Sequence, residues 1–464
     1  MNVVKKFDLI VLGGGSAGYA AARTAHEKNA RVAVVDGAQD LGGLCILRGC
    51  MPSKTLIYSA EMLHAAGQGN VFGFDRASPK ANLKLMQERK QKVIGEFANY
   101  RQEQLADGRF SLFRKQGILQ GVNEVRLESG EILEGEKILM STGSKVSVPP
   151  IPGLSTVGFK TSDDVLNLDY IPTECIVLGG GVVACELAQF LGRIGSRVTI
   201  LQRSSRLLKE LPPEASAALR AQLTEEGIEV LTEVNLQEFK SDKAGGIKVF
   251  FDHGGKVCKR DTTFLFLGLG RSPNVDENSL GDLGIQLKPS GHIQTNHFQQ
   301  TSVPSIYAAG DCAGPHEIVH IAVKQGETAA LHALGFAVPP VEYDNLLSVV
   351  FTDPQIAKVG LSTEELKNRD INFISASYPF DDHGKSILME AKKGYVAVHA
   401  EKSSGIILGA ECAGKDAGEL IHSLSVAVSL QATVHQLLKV DWYHPTLSEI
   451  WTYPLEDIAE EIPV

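Results

Sequence analysis

Short apolar runs that stop on glycines alternate along this chain with longer stretches of helical spacing. Residues 7–12 (FDLIVL) are apolar apart from Asp8 and stop at Gly13, Gly14 and Gly15, and an alanine-rich stretch over 20–30 follows. That order predicts a strand, a tight turn and a helix. A second run, 31–35, ends on Asp36 and predicts a second strand. The pattern returns at 175–178 (CIVL), at the glycines 179–181, in a helical run over 182–195 and in a strand over 197–201. Each half continues into a strand-rich stretch, 110–141 and then 228–267, and closes on small residues, Ser141-Thr142-Gly143 and Gly268-Leu269-Gly270-Arg271. Within 80–106, Leu85, Met86, Val93, Ile94, Phe97 and Tyr100 recur at helical spacing and predict a packed helix face.

Both repeats suit a dinucleotide. Glycines let a backbone approach a pyrophosphate, the following helix N-terminus offers unpaired N–H groups, and an acid ending the second strand accepts ribose hydroxyls. Gly13, Gly15 and Gly18, with Ser16 between them, supply the first set, and Asp36 ends the second strand. In the second repeat Gly179 and Gly181 stand in place, Ala184 takes the third glycine position, and Gln202-Arg203 replaces the acid, with Arg206 and Lys209 close behind. An acid there repels a ribose 2′-phosphate, whereas Gln and Arg accept it, so this half is expected to prefer NADP over NAD. The bland alternative for these cations is a solvated basic face.

Composition narrows the setting. A length of 464 residues corresponds to about three domains. Hydrophobic residues at 43%, charged residues at 22% and a mean hydropathy of -0.02 describe a globular chain. No run of about 18 apolar residues offers a membrane span. A net charge of -10 without a basic block argues against nucleic acid as a partner. Lys5 and Lys6 before an apolar run imitate a secretory signal, but that run is short, carries Asp8 and ends in glycines. The cysteines, Cys45, Cys50, Cys175, Cys185, Cys258, Cys312 and Cys412, are odd in number and scattered, which points to a reducing, cytoplasmic compartment.

Only Cys45 and Cys50 are close in sequence. On a regular helix residues five apart stand roughly 8–9 Å apart, beyond the about 7 Å that a disulfide spans. A bond between them needs a distorted turn, which Gly42, Gly43 and Gly49 permit, and a strained, accessible disulfide is the labile, catalytic kind. Zinc calls for Cys-x-x-Cys spacing with further Cys or His partners, so no metal is expected. Two unrelated buried cysteines are the remaining alternative. If Pro52 marks the opening of a helix through Ser53 and Lys54, Cys50 lies near its N-terminus, where a thiolate is stabilised.

The run Gly42-Gly43-Leu44-Cys45-Ile46-Leu47-Arg48-Gly49-Cys50-Met51-Pro52-Ser53-Lys54 resembles the redox-active signature of the class I pyridine nucleotide-disulfide oxidoreductases. These flavin disulfide reductases include dihydrolipoamide dehydrogenase and the glutathione, mercuric and trypanothione reductases. Residues 301–311 (TSVPSIYAAGD) resemble the family's second FAD motif, and 444–449 (HPTLSE) its C-terminal acid-base motif, so the resemblance spans essentially the whole chain. It implies an α/β fold: two doubly wound, Rossmann-like dinucleotide-binding domains and a C-terminal α+β dimerisation domain. The implied divisions are 1–150 for FAD, 151–273 for NAD(P), 274–343 completing the FAD site and 344–464 for the homodimer interface. FAD is placed on Gly13, Gly15, Ser16, Gly18, Asp36, Gly43, Lys54, Thr142, Gly143, Gly310 and Asp311. NADP(H) is placed on Gly179, Gly181, Glu186, Gln202, Arg203, Lys209 and Gly270. The resemblance makes Cys50 the flavin-proximal thiol and Cys45 the thiol that meets the substrate sulfur. Lys54 and Glu186 become the pair beside the flavin N5. His444 becomes the general acid-base that reaches the other subunit's disulfide, with Glu449 orienting it.

Departures from the pattern bear on the branch. Val182 and Glu327 stand where glutathione reductases carry Tyr and Arg, although Arg23 matches a glutathione-contacting Arg. The segment ending at His320 (GPHEIVH) is closer to dihydrolipoamide dehydrogenases, from which Trp442, Tyr443, Gln202 and Arg203 depart. Residues 460–464 lack the vicinal cysteines of mercuric reductases. The expected function is FAD-dependent transfer of two electrons between NAD(P)H and a small or lipoyl dithiol/disulfide, in the manner of dihydrolipoamide dehydrogenase. The alternatives are an NADPH-dependent reductase of a small disulfide or metal ion, and a flavin-binding redox sensor without turnover.

Overall fold

The computed structural model describes residues 5–75, 79–242 and 245–462. The first repeat forms the strand Lys5–Leu12, the helix Ser16–Glu27 and the strand Val32–Val35. Leu9 to Leu12 pair in parallel with Val32 to Val35, and all eight side chains are buried. A parallel strand covered on both faces reads as a continuous apolar run, which is why these segments were legible. The strand Ile132–Met140 lies on the other side of Lys5–Leu12 and divides its own pairing. Its first residues join an antiparallel meander with Glu124–Leu127 and Gly117–Gly121, and its last three pair in parallel with Ile306–Ala308. The chain thus returns to the first sheet after building the second.

The second sheet is parallel throughout, in the order Glu229–Leu231, Arg197–Leu201, Glu174–Leu178, Leu265–Leu267. A three-stranded antiparallel sheet, Asn235–Ser241, Ile247–His253 and Lys256–Thr262, shares a hydrophobic core with it. The C-terminal unit is a five-stranded antiparallel sheet in the order Leu347–Val350, Gln355–Gly360, Ile407–Gly414, Tyr395–Glu401, Phe373–Pro379. The helices Ala417–Ser429 and Thr452–Glu461 pack on it around the fully buried Trp451. The fold is therefore α/β, with two doubly wound sheets and a C-terminal α+β unit. No helix among the described residues is long and apolar enough to cross a membrane.

One expectation is corrected. The helix Leu83–Ala106 forms, but its buried residues are Leu83, Lys90 and Leu105, while Leu85, Phe97 and Tyr100 are exposed. Lys90 can be buried because its Nζ donates to Leu166 O (2.6 Å) and Asn167 Oδ1 (2.8 Å). Periodicity registers an apolar stripe without saying what covers it, and within one chain half of this stripe has no cover while Met86, Val93 and Ile94 are half-buried. Tyr58 and Met62 of the helix Cys50–Ala66 are exposed as well. Large apolar side chains left exposed on these two neighbouring helices suit an association face.

Candidate active site

The first strand-to-helix turn is closed by backbone contact. Ser141 Oγ donates to Leu12 O (3.0 Å) and to Gly13 O (2.9 Å), and a Cβ on Gly18 would lie 1.9 Å from Gly13 O. Only glycine fits there. The helix begins at Gly15 with no side-chain cap, which leaves its first amides, Ser16 among them, for an anion. Gly43 (φ +70°) rests on this turn so closely that a Cβ would sit 2.7 Å from Gly15 Cα. Asp36 accepts from Gly14 N (2.8 Å) and Ala38 N (2.9 Å). At the same carboxyl end of the sheet Thr142 O and Gly143 O accept from Asn274, and Gly310 N donates to the buried Gln325 Oε1 (2.7 Å). Asp311 Oδ2 accepts from Ser144 Oγ (2.6 Å), whose oxygen accepts from Arg271 Nε (2.7 Å). An uncapped helix end, a channel walled by glycine backbone and two carboxylates with lone pairs to spare fit FAD. Ser144, Asn274 and Gln325 belong to no motif, Arg271 only ends the run 268–271, and no local signal in the sequence assigns any of them to this site.

The helix that would carry both cysteines is broken. Gly43–Arg48 is one short helix, Gly49 (φ -130°, ψ -114°) interrupts it, and a new helix starts at Cys50, two residues before the expected Pro52. Cys45 and Cys50 are free thiols that share a hydrogen bond. That bond, with Lys54's charge behind it, lowers the Cys50 thiol to about 7 against the effect of burial. The same bond and burial push Cys45 up. Cys50 is therefore the thiolate, and its place as first residue of a long helix acts in the same direction.

One turn further on, Lys54 Nζ lies 2.7 Å from Glu186 Oε2 and 4.8 Å from the centre of the Phe351 ring. The buried Glu186 also accepts from Phe351 N (2.9 Å) at Oε1. On the same face of the helix Val182–Ile194, Gln189 exchanges two hydrogen bonds with the Asp353 backbone and Arg193 reaches Asp353 Oδ2 (2.6 Å). This polar stripe joins the second nucleotide-binding sheet to the C-terminal unit. Among the described residues one trio of ligand-type side chains, His64, Glu226 and Asp353, converges here, but Arg193 already pairs with both carboxylates.

The second turn repeats the first. The helix Val182–Ile194 begins at Gly181 without a side-chain cap, and a Cβ on Gly181 would meet nothing within 4 Å. Gly179 packs its backbone on Gly268 O, and Gly270 O accepts from Ser147 N (3.0 Å). Gln202 is turned inward: it donates to Ser204 Oγ and Arg206 O and accepts from Arg203 N, so it shapes the loop instead of facing out. Arg206 donates to Lys209 O, and Lys209 pairs with Glu210. Arg203 is exposed and, among the described residues, has no ion-pair partner.

In the C-terminal unit Ile450 and Trp451 are fully buried, Trp451 Nε1 donating to Leu420 O (3.2 Å), and this anchoring turns Glu449 back toward His444. His444 Nδ1 lies 3.0 and 3.1 Å from the two Glu449 oxygens. An ionised carboxylate only accepts, so Nδ1 carries the hydrogen and Nε2 is left free. The imidazole is 78% exposed, which places Nε2 at the surface of this chain. At the expected glutathione position Arg23 is paired with Glu327.

Comparison with known proteins gives this geometry its relatives. A family model described as pyridine nucleotide-disulphide oxidoreductase matches residues 7–326, and the dimerisation-domain model of that family matches 346–454. The dihydrolipoyl dehydrogenase of Chlamydia trachomatis serovar D is 30% identical over 449 residues, covering 96% of this chain and 95% of its own. The mercuric reductase of Staphylococcus aureus is also 30% identical, over 447 residues, covering 95% of this chain and 80% of its own. Among solved structures, the HOCl-induced flavoprotein disulfide reductase RclA from Escherichia coli aligns with a TM-score of 0.85 at 23% identity, over 97% of this chain and 99% of that one, a likeness of fold. Similarity that runs unbroken through both nucleotide-binding sheets and the C-terminal unit is more than shared motifs: the chain belongs to the FAD-dependent pyridine nucleotide-disulphide oxidoreductase family.

Proposed function

We propose that the protein passes two electrons between NAD(P)H and a dithiol/disulfide substrate through Cys45 and Cys50, as dihydrolipoamide dehydrogenases do, and that it works as a homodimer. The observation that carries this reading is the thiol pair itself, held at a helix break with its thiolate at Cys50 and Lys54 one turn away. FAD, when bound, relays the two electrons of a reduced nicotinamide to the disulfide. The remaining work falls to side chains of the protein. In the reducing direction His444 Nε2 takes the Cys45 proton, the thiolate attacks one substrate sulfur, and the same proton goes to the departing thiolate. Cys50 thiolate then attacks the Cys45 sulfur. The mixed disulfide breaks, the second substrate thiolate leaves and takes a proton from water, and a Cys45–Cys50 disulfide is left to accept the next two electrons. Glu449 steadies the imidazolium, and Lys54, held by Glu186, keeps a positive charge where the electrons arrive. The exposed stripe of Leu85, Phe97 and Tyr100 supports the homodimer, in which a surface-placed His444 Nε2 meets the thiols of the partner.

The decisive experiment is a panel of lipoamide, dihydrolipoamide, glutathione disulfide and Hg(II), each with both nicotinamides. Turnover of the lipoyl pair is expected to exceed that of glutathione disulfide by at least ~10-fold, because Glu327 engages Arg23, the cation that matches a glutathione-contacting Arg. Glutathione disulfide in first place would overturn the reading. An NADPH-driven reductase of a small disulfide or metal ion is the second reading, and Arg203 favours it. The kcat/KM for NADPH is expected to exceed that for NADH. Arg203→Ala should lower the NADPH value about 10- to 100-fold, the worth of a charge-assisted phosphate contact, and hardly change that for NADH. A parent enzyme that prefers NADH would refute the assignment.

A further inference from the structure

Behind the acid-base pair lies a second imidazole that belongs to no motif. His383 is fully buried, between the turn Phe380–Asp382 and the short helix Gly384–Leu388. Its Nδ1 is 2.8 Å from Ser386 Oγ. Its Nε2 has no hydrogen-bond partner of good geometry, and Glu449 Oε1 stands 3.4 Å away. Glu449 therefore lies between two imidazoles, His444 on one side and His383 on the other. A carboxylate that only accepts calls for an N–H at His383 Nε2, which leaves Nδ1 bare to accept the Ser386 hydroxyl. The titratable groups facing His383 are Glu449 and His444, with Tyr453 edge-on to its ring at 6.1 Å and Tyr378 and Asp382 beyond, hydrogen-bonded to each other. Burial keeps the imidazole uncharged at neutral pH.

We propose that His383 is a positioning residue of the acid-base site, holding Glu449 oriented so that Glu449 fixes His444 with its N–H at Nδ1 and Nε2 free. The inference rests on the disulfide-reductase reading above. Its physical basis is that the single Nδ1–H of His444, mostly in solvent, is shared by both Glu449 oxygens and cannot satisfy them rigidly, so the buried carboxylate bears a desolvation penalty unless a second donor faces it. Without the inner donor Glu449 turns toward water, which takes the carboxylate away from the His444 imidazolium.

The test compares His383→Leu, which removes the donor, with His383→Gln, which keeps an N–H near the Nε2 position, and with Ser386→Ala, which leaves His383 in place but frees its tautomer. Reduction of lipoamide by NADPH is followed against pH in the FAD-loaded protein, alongside flavin reduction alone. In His383→Leu, kcat is expected to fall about 10- to 100-fold, as for lost outer-shell partners elsewhere. The alkaline limb of its profile should move to lower pH, because the imidazolium loses its partner, while flavin reduction persists. His383→Gln should recover most of the loss, and Ser386→Ala should move the limb the same way by less. Leu and Gln variants that behave alike, both normal or both impaired, would overturn the proposal, as would an unmoved limb in Ser386→Ala. His444→Ala separates the two levels. If it reduces lipoamide normally, the acid-base reading fails and the inference with it; if it is inactive while His383→Leu matches the parent, only the inference fails.

Discussion

Cys50→Ser and Cys45→Ser each bring disulfide turnover to background, at least ~10³-fold below the parent, because the two thiols act as a unit and a hydroxyl forms no disulfide. Flavin reduction by NADPH survives in both. The variants then part company. Cys50 is the thiolate, lowered to about 7 by its hydrogen bond from Cys45 and by Lys54, so the long-wavelength absorbance of a thiolate against flavin depends on Cys50 alone. Two-electron reduction of the parent should produce that band, and Cys50→Ser should lack it. The band should fade as pH drops through about 7, since protonation removes the donor. In Cys45→Ser it persists with its midpoint displaced, because the largest influence on the Cys50 thiol is then altered. Visible spectra of the reduced proteins across pH are sufficient. A band that survives in Cys50→Ser assigns the flavin-side thiol wrongly.

His444→Ala lowers disulfide turnover by about 10²–10⁴, the range for loss of a general acid-base. Two proton movements lie behind the figure. Cys45 is pushed up by its hydrogen bond to Cys50 and by burial, so at neutral pH it needs a base before it can attack. The departing alkyl thiolate needs an acid. An aromatic disulfide whose thiolate leaves without a proton escapes the second requirement, so the deficit with 5,5′-dithiobis(2-nitrobenzoate) should be smaller than with lipoamide. Stopped-flow reduction of the flavin by NADPH should be unaffected. Near-normal lipoamide turnover in this variant would remove His444 from the mechanism.

What the sequence made legible is local. Gly13, Gly15 and Gly18 beside FDLIVL, and Gly179 and Gly181 beside CIVL, announce their turns because a glycine cluster after a buried parallel strand has few other uses. The thiol pair and the acid-base pair are each five residues apart, so one short motif holds both members. The rest depends on distance along the chain. Phe351, Arg271, Gln325 and His383 reach their partners from elements far along the chain, and no window of sequence contains them with those partners. The place of Gln202 at a strand end predicts a phosphate contact, but the direction of its side chain is set by the loop that its amide closes. Leu85, Phe97 and Tyr100 gave the period of a helix correctly and the identity of its cover not at all.

The polar stripe of Glu186, Gln189 and Arg193 carries a consequence for how the molecule can be divided. Each of these side chains is buried in the helix Val182–Ile194, yet each completes its bonding on the loop at 351–353, far along the chain. A fragment that stopped short of that loop would retain both Rossmann turns and still hold a carboxylate, an amide and a guanidinium with missing partners in its interior. The helix is a keystone: the nucleotide-binding half of the protein cannot be excised as a self-sufficient module, however complete its motifs look on paper.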